Sequence, residues 1–382
     1  MDRSGVPPAR PEVEGLQAYS APLEGRRGLL RLDFNENTVG PSPKVVEAIR
    51  AIPADHYAIY PEYDGLREDV IAALVPPGTP AGGGLTPSHI GVFNGVDAAI
   101  HAVFQAYGAA GDRLLTTSPT FGYYAPCARM QGMAIEALPH RMPGFAFPLA
   151  EIRAALAPDS SGAVPRLLLL CNPNNPTGTR LAAADVLALA AAAPDTVVVV
   201  DELYEAFTGD SVLPLLLAEA GASGGDPFAR HPNLLVLRSL SKTAGIAGLR
   251  IGFALGSAPL VDRVSRVTGP YDVNSFAVAA AYAALADQAY VQAYVAEVLA
   301  ARDALVRQLR QAGVRHHVDG GNYLLLWPKG DPAEVERRLK QEAGILVRSM
   351  AGKPQLEGSL RVSLGTRAQM QRFLGAWCAV EG

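Results

Sequence analysis

Short apolar runs alternate along this chain with stretches of helical periodicity, and this alternation restricts the fold more than any other feature. Residues 197–200 are all valine, as expected for a strand that is buried on both faces. Residues 96–107 carry apolar side chains at helical spacing, and residues 182–193 are rich in strong helix formers. Because strands separated by helices join as βαβ units, the pattern predicts an α/β fold with a mainly parallel sheet between helices. The other strands predicted for this sheet cover residues 114–117, 133–138, 167–171, 234–237 and 251–255.

The pattern changes after about residue 260, where two long helices are predicted over residues 274–287 and 288–312. At 382 residues the chain is also too long for one ordinary core. We therefore predict an N-terminal arm over residues 1–40, a large domain over residues 41–260 and a smaller C-terminal α/β domain over residues 261–382. The shorter elements predicted for this last domain are strands 323–327, 345–347 and 360–364 and helices 332–343 and 367–380.

Composition and charge argue against several functional classes. The net charge is only −4 and no block of like charge occurs, so no nucleic-acid partner is expected. No apolar stretch is long enough to span a membrane and the N-terminus lacks a signal-peptide core, which favours the cytoplasm. Three widely spaced cysteines indicate reduced thiols. The seven histidines include no pair at metal-ligand spacing, and no Gly-x-x-x-x-Gly-Lys loop occurs, so neither a metal site nor a nucleotide site is predicted.

Polar clusters follow three of the predicted strands, at residues 172–178, 201–204 and 239–242, and Arg250 lies eight residues beyond the last cluster. Ligands bind at the carboxyl ends of strands in open α/β sheets, so the three clusters are expected to share a site. Together they offer the groups that a pyridine-based electron sink requires. These are an amine for its aldehyde, a carboxylate for its ring nitrogen, donors for its phenolic oxygen and a phosphate cradle.

The combined pattern resembles the fold-type I pyridoxal-phosphate enzymes. The motifs that carry the resemblance are Asn-Pro-Asn-Asn-Pro-Thr-Gly, Asp-Glu-x-Tyr and Ser-x-Ser-Lys with its downstream arginine. It implies that Lys242 is bonded to the cofactor, pyridoxal 5′-phosphate, and moves the proton between the substrate and the cofactor. It also implies that Asp201 pairs with the ring nitrogen, and that Asn175 and Tyr204 hydrogen-bond the phenolic oxygen. The remaining implied cofactor contacts are a stacked ring from Phe121 and phosphate contacts from Val96, Asp97, Ser239, Ser241 and Arg250.

The phosphate contacts also have a physical reason. Residues 93–97 end in the N-terminus of a predicted helix, where unpaired amides and the helix dipole favour an anion. Arginine in turn binds phosphate through two parallel hydrogen bonds.

Over nearly its whole length the chain is similar to the histidinol-phosphate aminotransferase family. Residues 32–37, 40–43, 60–61, 321–323 and 360–366 carry this resemblance. It implies a homodimer in which Tyr60 reaches into the neighbouring subunit's site and touches cofactor and substrate. Arg361 would bind a carboxylate with Arg348 as its partner, since planar cations suit carboxylates and phosphates. The other substrate contacts implied by the resemblance come from Tyr19, Asn37 and Asn322.

These expectations favour transamination between L-histidinol phosphate and 2-oxoglutarate, with imidazole-acetol phosphate and L-glutamate as products, in histidine biosynthesis. Two alternatives with the same fold stay open. One is an aminotransferase for an aromatic or specialised-metabolite amino acid, in which the two arginines would receive only carboxylates. The other is an amino-acid-phosphate decarboxylase. The effector-sensing half of a transcription regulator would need a DNA-binding segment that is absent from this sequence.

Overall fold

A computed structural model describes residues 7–17, 24–75, 83–223 and 225–381. Within these ranges the central element is a seven-stranded sheet of order β2-β8-β7-β6-β5-β3-β4. The first eight strands are β1 (Leu30–Arg31), β2 (Ile90–Phe93), β3 (Arg113–Ser118), β4 (Ala134–Pro139), β5 (Leu167–Cys171), β6 (Val197–Asp201), β7 (Leu234–Ser239) and β8 (Gly252–Gly256). Only β8 runs antiparallel to its neighbours β2 and β7. The predicted mainly parallel sheet is therefore confirmed.

Helices cover both faces of this sheet and bury two separate cores. Alternate side chains of β6 divide between them, with Val198 and Val200 in one core and Val197 and Val199 in the other. The helices of this part of the chain are α1 (Pro11–Glu14), α2 (Pro43–Arg50), α3 (Leu66–Leu74), α4 (Val96–Tyr107), α5 (Tyr124–Met130), α6 (Leu149–Ala155), α7 (Ala183–Ala192), α8 (Leu213–Ser223), α9 (Ala258–Ser265) and α10 (Ser275–Ala286). No helix in the described ranges combines the length and the apolar character needed to cross a membrane.

A second, smaller unit follows, with its own antiparallel sheet of order β12-β13-β10-β9. Its core contains the buried rings of Phe373 and Trp377 together with the apolar face of the long helix α11. The elements of this unit are α11 (Gln288–Gln311), β9 (His316–His317), β10 (Tyr323–Leu326), α12 (Pro332–Ala343), β11 (Ile345–Leu346), β12 (Arg348–Ser349), β13 (Leu360–Ser363) and α13 (Arg367–Glu381).

The packing assigns two segments differently from the domain limits predicted at residues 40 and 260. Helix α10 places Ala277, Ala281 and Ala284 in a core of the large sheet, although the prediction had put it in the small domain. Helical periodicity identifies an apolar face but not the sheet against which that face packs. The N-terminal arm contacts both units, because β1 pairs with β11 while Arg10 donates to the Met130 carbonyl of α5 at 2.5 Å.

Candidate active site

The carboxyl ends of β5, β6 and β7 lie side by side because these strands are parallel neighbours. The segments that follow them line a cavity of about 590 Å³ together with the N-terminus of α4 and residues of the smaller sheet. The predicted site residues that line this cavity are Val96, Asp97, Phe121, Asn175, Asp201, Tyr204, Ser239, Ser241, Lys242, Arg250, Arg348 and Arg361.

Lys242 lies three residues beyond the end of β7, in a partly buried position. Burial, together with the positive charge of Arg361, lowers the pKa of Lys242 to about 8. Its Nζ donates a hydrogen bond to the carbonyl oxygen of Phe34 at 3.1 Å. A lysine amine with this pKa is partly neutral near pH 8, and the neutral amine is the nucleophilic form.

Asp201 is the last residue of β6, and only 3% of it is exposed. Its Oδ2 accepts a hydrogen bond from the Tyr124 hydroxyl at 2.8 Å, and its Oδ1 accepts from the Leu203 amide at 3.3 Å. Burial raises the pKa of Asp201 to about 6, although the Tyr124 hydrogen bond opposes the rise. No cationic side chain in the described ranges forms an ion pair with it. A buried carboxylate of this kind suits a ligand that brings its own positive charge.

The Tyr204 hydroxyl is held in place by two amides. It accepts hydrogen bonds from Nδ2 of Asn35 at 3.1 Å and from Nδ2 of Asn175 at 3.3 Å. Because both contacts use the oxygen as acceptor, the hydroxyl proton is available for a ligand. Burial raises the pKa of Tyr204 above its ordinary value, so this proton is retained. Asn35 itself has a φ of 56°, in the left-handed region that asparagine tolerates.

Glycine makes room for an arginine at the N-terminus of α4. Gly95 has a φ of 78°, and a Cβ there would collide with Nη2 of Arg250 and lie 2.9 Å from its Cζ. The guanidinium pairs with Asp97 at 3.0 Å and donates to the Ala247 carbonyl at 3.1 Å. The first amides of a helix have no intrahelical acceptor. This turn therefore places free N–H groups beside the guanidinium of Arg250.

Strand β8 also approaches this turn closely, at Gly252. A Cβ at Gly252 would lie 2.6 Å from the backbone nitrogen of Val96. Across the same part of the cavity, Oγ of Ser239 accepts from the Ser241 amide at 3.0 Å. Two hydroxyls, the helix amides and Arg250 thus form a cradle for an anion, and glycine at both positions keeps it open.

Arg361 and Arg348 reach the opposite part of the cavity from the smaller sheet. Nη1 of Arg361 donates to Oδ1 of Asn175 at 2.7 Å, and Nη2 donates to the Asp33 carbonyl at 2.5 Å. Its Nε is buried and has no hydrogen-bond partner among the described residues. The guanidinium of Arg348 lies 5.6 Å from the ring centroid of Phe34. Neither arginine is neutralised by an ion pair within the described ranges, so both can receive an anion.

Three predicted residues lie elsewhere, and a fourth is not among the described residues. Asn37 is buried against backbone, donating to the Thr243 carbonyl at 2.8 Å, and Asn322 donates to the Asn35 carbonyl at 3.1 Å. These two amides support the chain behind the cavity but do not line it. Tyr60 is 71% exposed on the surface. Tyr19 lies outside the described residues.

Several residues of the cavity were not among the predicted site residues. Thr120, Gly122, Cys171, Pro176, Leu203, Ala247 and Gly248 lie within four residues of predicted ones along the chain. Phe34, Asn35 and Glu36 of the N-terminal arm and Met350 and Lys353 of the smaller unit reach the cavity through contacts between distant parts of the chain. Tyr124 supports Asp201 without lining the cavity, and its place three residues after Phe121 is a signal that could have identified it.

Pyridoxal 5′-phosphate carries an aldehyde, a ring nitrogen that can be protonated, a phenolic oxygen and a phosphate. The cavity holds an amine of lowered pKa, a buried carboxylate without a cation, a hydroxyl with a free proton and an anion cradle that a Cβ would fill. Its volume of about 590 Å³ also suits a small-molecule site. The fold and this complementarity define a pyridoxal-phosphate-dependent enzyme of fold type I.

Comparison with known proteins narrows this class to one family. Residues 27–376 match the family described as Aminotransferase class I and II. Histidinol-phosphate aminotransferase 2 of Thiobacillus denitrificans is 34% identical over 91% of this chain and 90% of that protein. Histidinol-phosphate aminotransferase 2 of Caulobacter vibrioides is 34% identical over 98% of this chain and 96% of that protein. The chain therefore belongs to the class I and II aminotransferases, and its cofactor is pyridoxal 5′-phosphate.

A solved structure shows the same fold. The crystal structure of histidinol-phosphate aminotransferase from Sinorhizobium meliloti, in complex with pyridoxal 5′-phosphate, has a TM-score of 0.82 against this one. The two sequences are 24% identical, and the match covers 99% of both chains.

Proposed function

We propose that this aminotransferase transfers the amino group of L-histidinol phosphate to 2-oxoglutarate, giving imidazole-acetol phosphate and L-glutamate in histidine biosynthesis. The observation that carries the proposal is the pair Arg348 and Arg361, which faces the same cavity as Lys242 without an ion-pair partner. Relatives at 34% identity that bear the name of this activity support it. Phosphate on the donor and two carboxylates on the co-substrate both require fixed cations.

We assign the proton transfers to Lys242. When bound, the cofactor supplies an aldehyde that condenses with amines and a ring that stabilises negative charge at the donor's α-carbon. Lys242 Nζ would hold this aldehyde covalently in the resting enzyme. After the donor amine has displaced it, the same Nζ would take the proton from the α-carbon and return it on the cofactor side. Both roles need a neutral amine, and the lowered pKa of about 8 provides one.

Asp201 and Tyr204 would orient and polarise the ring. The Asp201 carboxylate would hold a proton on the ring nitrogen, and burial keeps this ion pair unscreened by water. The Tyr204 hydroxyl and the Asn175 amide would donate to the phenolic oxygen. Phe121, which meets Tyr124 edge-to-face at 5.5 Å, lines the cavity where it can stack on the ring.

The phosphate of the cofactor would occupy the anion cradle. The amides of Val96 and Asp97 would contact it from the helix end, and Arg250 would add two parallel hydrogen bonds. The hydroxyls of Ser239 and Ser241 complete the set. Arg361 and Arg348 remain for the anionic groups of donor and acceptor.

We infer that two copies of the chain form a dimer with shared active sites. An exposed aromatic patch, defined here as Tyr57, Tyr60, Tyr271 and Phe276, supports this inference, because large exposed apolar groups mark interaction surfaces. Tyr60 stacks on Tyr271 with ring centroids 4.4 Å apart, so the patch is ordered rather than scattered. Tyr60 of one copy would complete the anion pocket of the other.

A donor panel tests the proposed reaction. L-Glutamate formation from 2-oxoglutarate is measured with L-histidinol phosphate, L-phenylalanine or L-tyrosine as donor. We expect kcat/KM for histidinol phosphate to be higher by about 100-fold or more, since cations that evolved for phosphate are left unpaired by the other donors. Preference for an aromatic amino acid would move the chain to another donor class. Release of carbon dioxide from L-threonine phosphate without use of 2-oxoglutarate would indicate a decarboxylase.

A further inference from the structure

A short loop of the smaller unit is pinned to the larger unit at the rim of the cavity. Its ends, Met350 and Leu356, are buried against Phe145 of the larger unit. Between them, Gln355 donates from Nε2 to the His140 carbonyl at 2.9 Å. Backbone hydrogen bonds join Lys353 to Met350 at 3.0 Å and to Leu356 at 3.1 Å. The backbone of Lys353 is therefore fixed on both sides.

The side chain of Lys353 leaves this fixed loop and lines the cavity. Its Nζ lies 3.4 Å from the place that a Cβ on Gly122 would occupy, so the ammonium sits beside the turn that follows Phe121. Lys353 is exposed, and its ammonium has no hydrogen bond or ion pair within the described part of the chain. A cation that lines the cavity from a fixed loop, with no structural contact of its own, is accessible to a ligand bound there.

Two of the carboxylates that line the cavity, Asp97 and Glu36, already form ion pairs with arginines. Asp97 pairs with Arg250 at 3.0 Å. Glu36 accepts from Arg26 at 2.8 Å and from Arg31 at 3.1 Å, and these hydrogen bonds hold the pKa of Glu36 below its usual value.

Asp201 faces the position assigned to the ring nitrogen, so it is not available either. Arg348, Lys353 and Arg361 are left facing the cavity with no carboxylate in ion-pair contact among the described residues. Three cations exceed what a single carboxylate needs, and they match a ligand end that carries two negative charges.

We propose that Lys353 is a specificity-determining residue that binds the phosphate of the amino donor together with Arg348. This inference rests on the proposed function and extends it, because it names a group that selects a phosphorylated donor over its dephosphorylated form. The loop of Lys353 belongs to the smaller unit and Gly122 to the larger one. A phosphate bound there would contact both units.

Binding of inorganic phosphate to the holoenzyme tests the site without reference to turnover. Calorimetric titrations at constant ionic strength compare wild type with Lys353→Met, which keeps most of the length of the side chain and removes its charge. We expect the dissociation constant to rise about tenfold in Lys353→Met and to stay within about threefold in Lys353→Arg. The matched control is Lys329→Met, a change at an exposed lysine outside this cavity. Equal affinity in wild type and Lys353→Met would overturn the proposal.

A donor pair then separates this inference from the proposed function. Wild type and Lys353→Met are assayed with L-histidinol phosphate and with L-histidinol. We expect the preference of wild type for the phosphorylated donor to fall about tenfold in the variant, through KM rather than kcat. An equal loss with both donors would show a structural role and reject the inference. A wild type without preference for the phosphate would reject the proposed function, and the phosphate titration would still decide the role of Lys353.

Discussion

Burial shifts the proton affinities of two groups in the cavity in opposite directions. It raises the pKa of Asp201 to about 6 and lowers the pKa of Lys242 to about 8. Both shifts favour the neutral form, since a charge is poorly solvated inside the protein. In the proposed site the cofactor would relieve both shifts, because its ring nitrogen would bring a cation to Asp201 and its aldehyde would bond covalently to the neutral amine of Lys242. The two residues to which the chemistry is assigned therefore destabilise the cofactor-free chain.

Asp201→Asn should raise the Tm of the cofactor-free protein at pH 8 and lower kcat/KM of the holoenzyme by about 1,000-fold or more. A raised pKa means that the folded state binds the proton more tightly than the unfolded state. The stability contributed by Asp201 therefore falls as pH rises from its ordinary pKa of 3.8 to about 6. This loss is at most about 3 kcal/mol, and asparagine avoids it while still accepting the Tyr124 hydrogen bond.

Thermal unfolding of both cofactor-free proteins at pH 5 and pH 8 checks this expectation. The advantage of the variant should be smaller at pH 5, where more of the wild-type carboxyl is protonated. The same difference in Tm at both pH values would show that the charge of the Asp201 carboxylate is not its cause.

At the scale of elements, the anion cradle depends on the turn that joins β2 to α4. Gly95→Ala places a methyl group against Arg250 at a φ of 78°, where alanine is strained. We expect the dissociation constant for pyridoxal 5′-phosphate to rise about tenfold or more, while kcat at saturating cofactor changes much less.

Fluorescence titration of cofactor into the cofactor-free protein measures this constant. Gly375→Ala is the matched control, since this glycine of α13 has ordinary φ and open space around its Cβ position. Unchanged cofactor affinity in Gly95→Ala would contradict the dependence of the phosphate site on this turn.

The sequence predicted the regular elements of the sheet closely and the more irregular ones poorly. Strand β5 and helix α4 have the predicted bounds. The continuous apolar run of β5 is typical of a buried strand, and the helical spacing of apolar residues in α4 is typical of a helix. Strand β2 was missed because it has only four residues and contains Gly91. Helix α8 was missed because Pro214 and Gly221 favour a loop at its two ends.

The residues of the candidate site likewise divide into those that the local sequence predicts and those that it does not. Asp201 ends strand β6 and Lys242 lies three residues beyond strand β7, where motif and topology agree on their place. Asn35 was not assigned a role, because it meets Tyr204 across 169 residues of sequence, and no local pattern encodes that contact. Lys353 depends in the same way on the packing of its loop against Phe145.

At the scale of the whole molecule, both units contribute residues to one cavity, and the exposed aromatic patch supports the proposed second copy. Each unit supplies a different part of the chemistry. The large sheet contributes Lys242, Asp201 and the anion cradle, and the small sheet contributes Arg348 and Arg361. The site therefore depends on how the units pack together, and in the proposed dimer Tyr60 would make it depend also on how two chains associate.

Mixed dimers test the shared site. Lys242→Ala and Tyr60→Ala chains are each expected to lose most activity as pure dimers. In a dimer that contains one of each, one of the two sites has both residues intact, so the isolated mixed dimer should have about half of wild-type activity. Differently tagged chains are co-expressed and the mixed dimer is isolated, with Lys242→Ala paired with itself as the control. A mixed dimer without recovered activity would contradict the shared site.

In the proposed reaction Lys242 releases the cofactor to a phosphorylated donor, and a single-turnover absorbance experiment follows this release. The holoenzyme is mixed with L-histidinol phosphate, or in parallel with L-phenylalanine, in the absence of 2-oxoglutarate. The absorbance band of the lysine-bound cofactor is followed over time. We predict rapid loss of the band at low concentrations of histidinol phosphate and slow loss with phenylalanine. Conversion by phenylalanine alone would contradict the proposed donor while leaving the fold, the family and the cofactor unchanged.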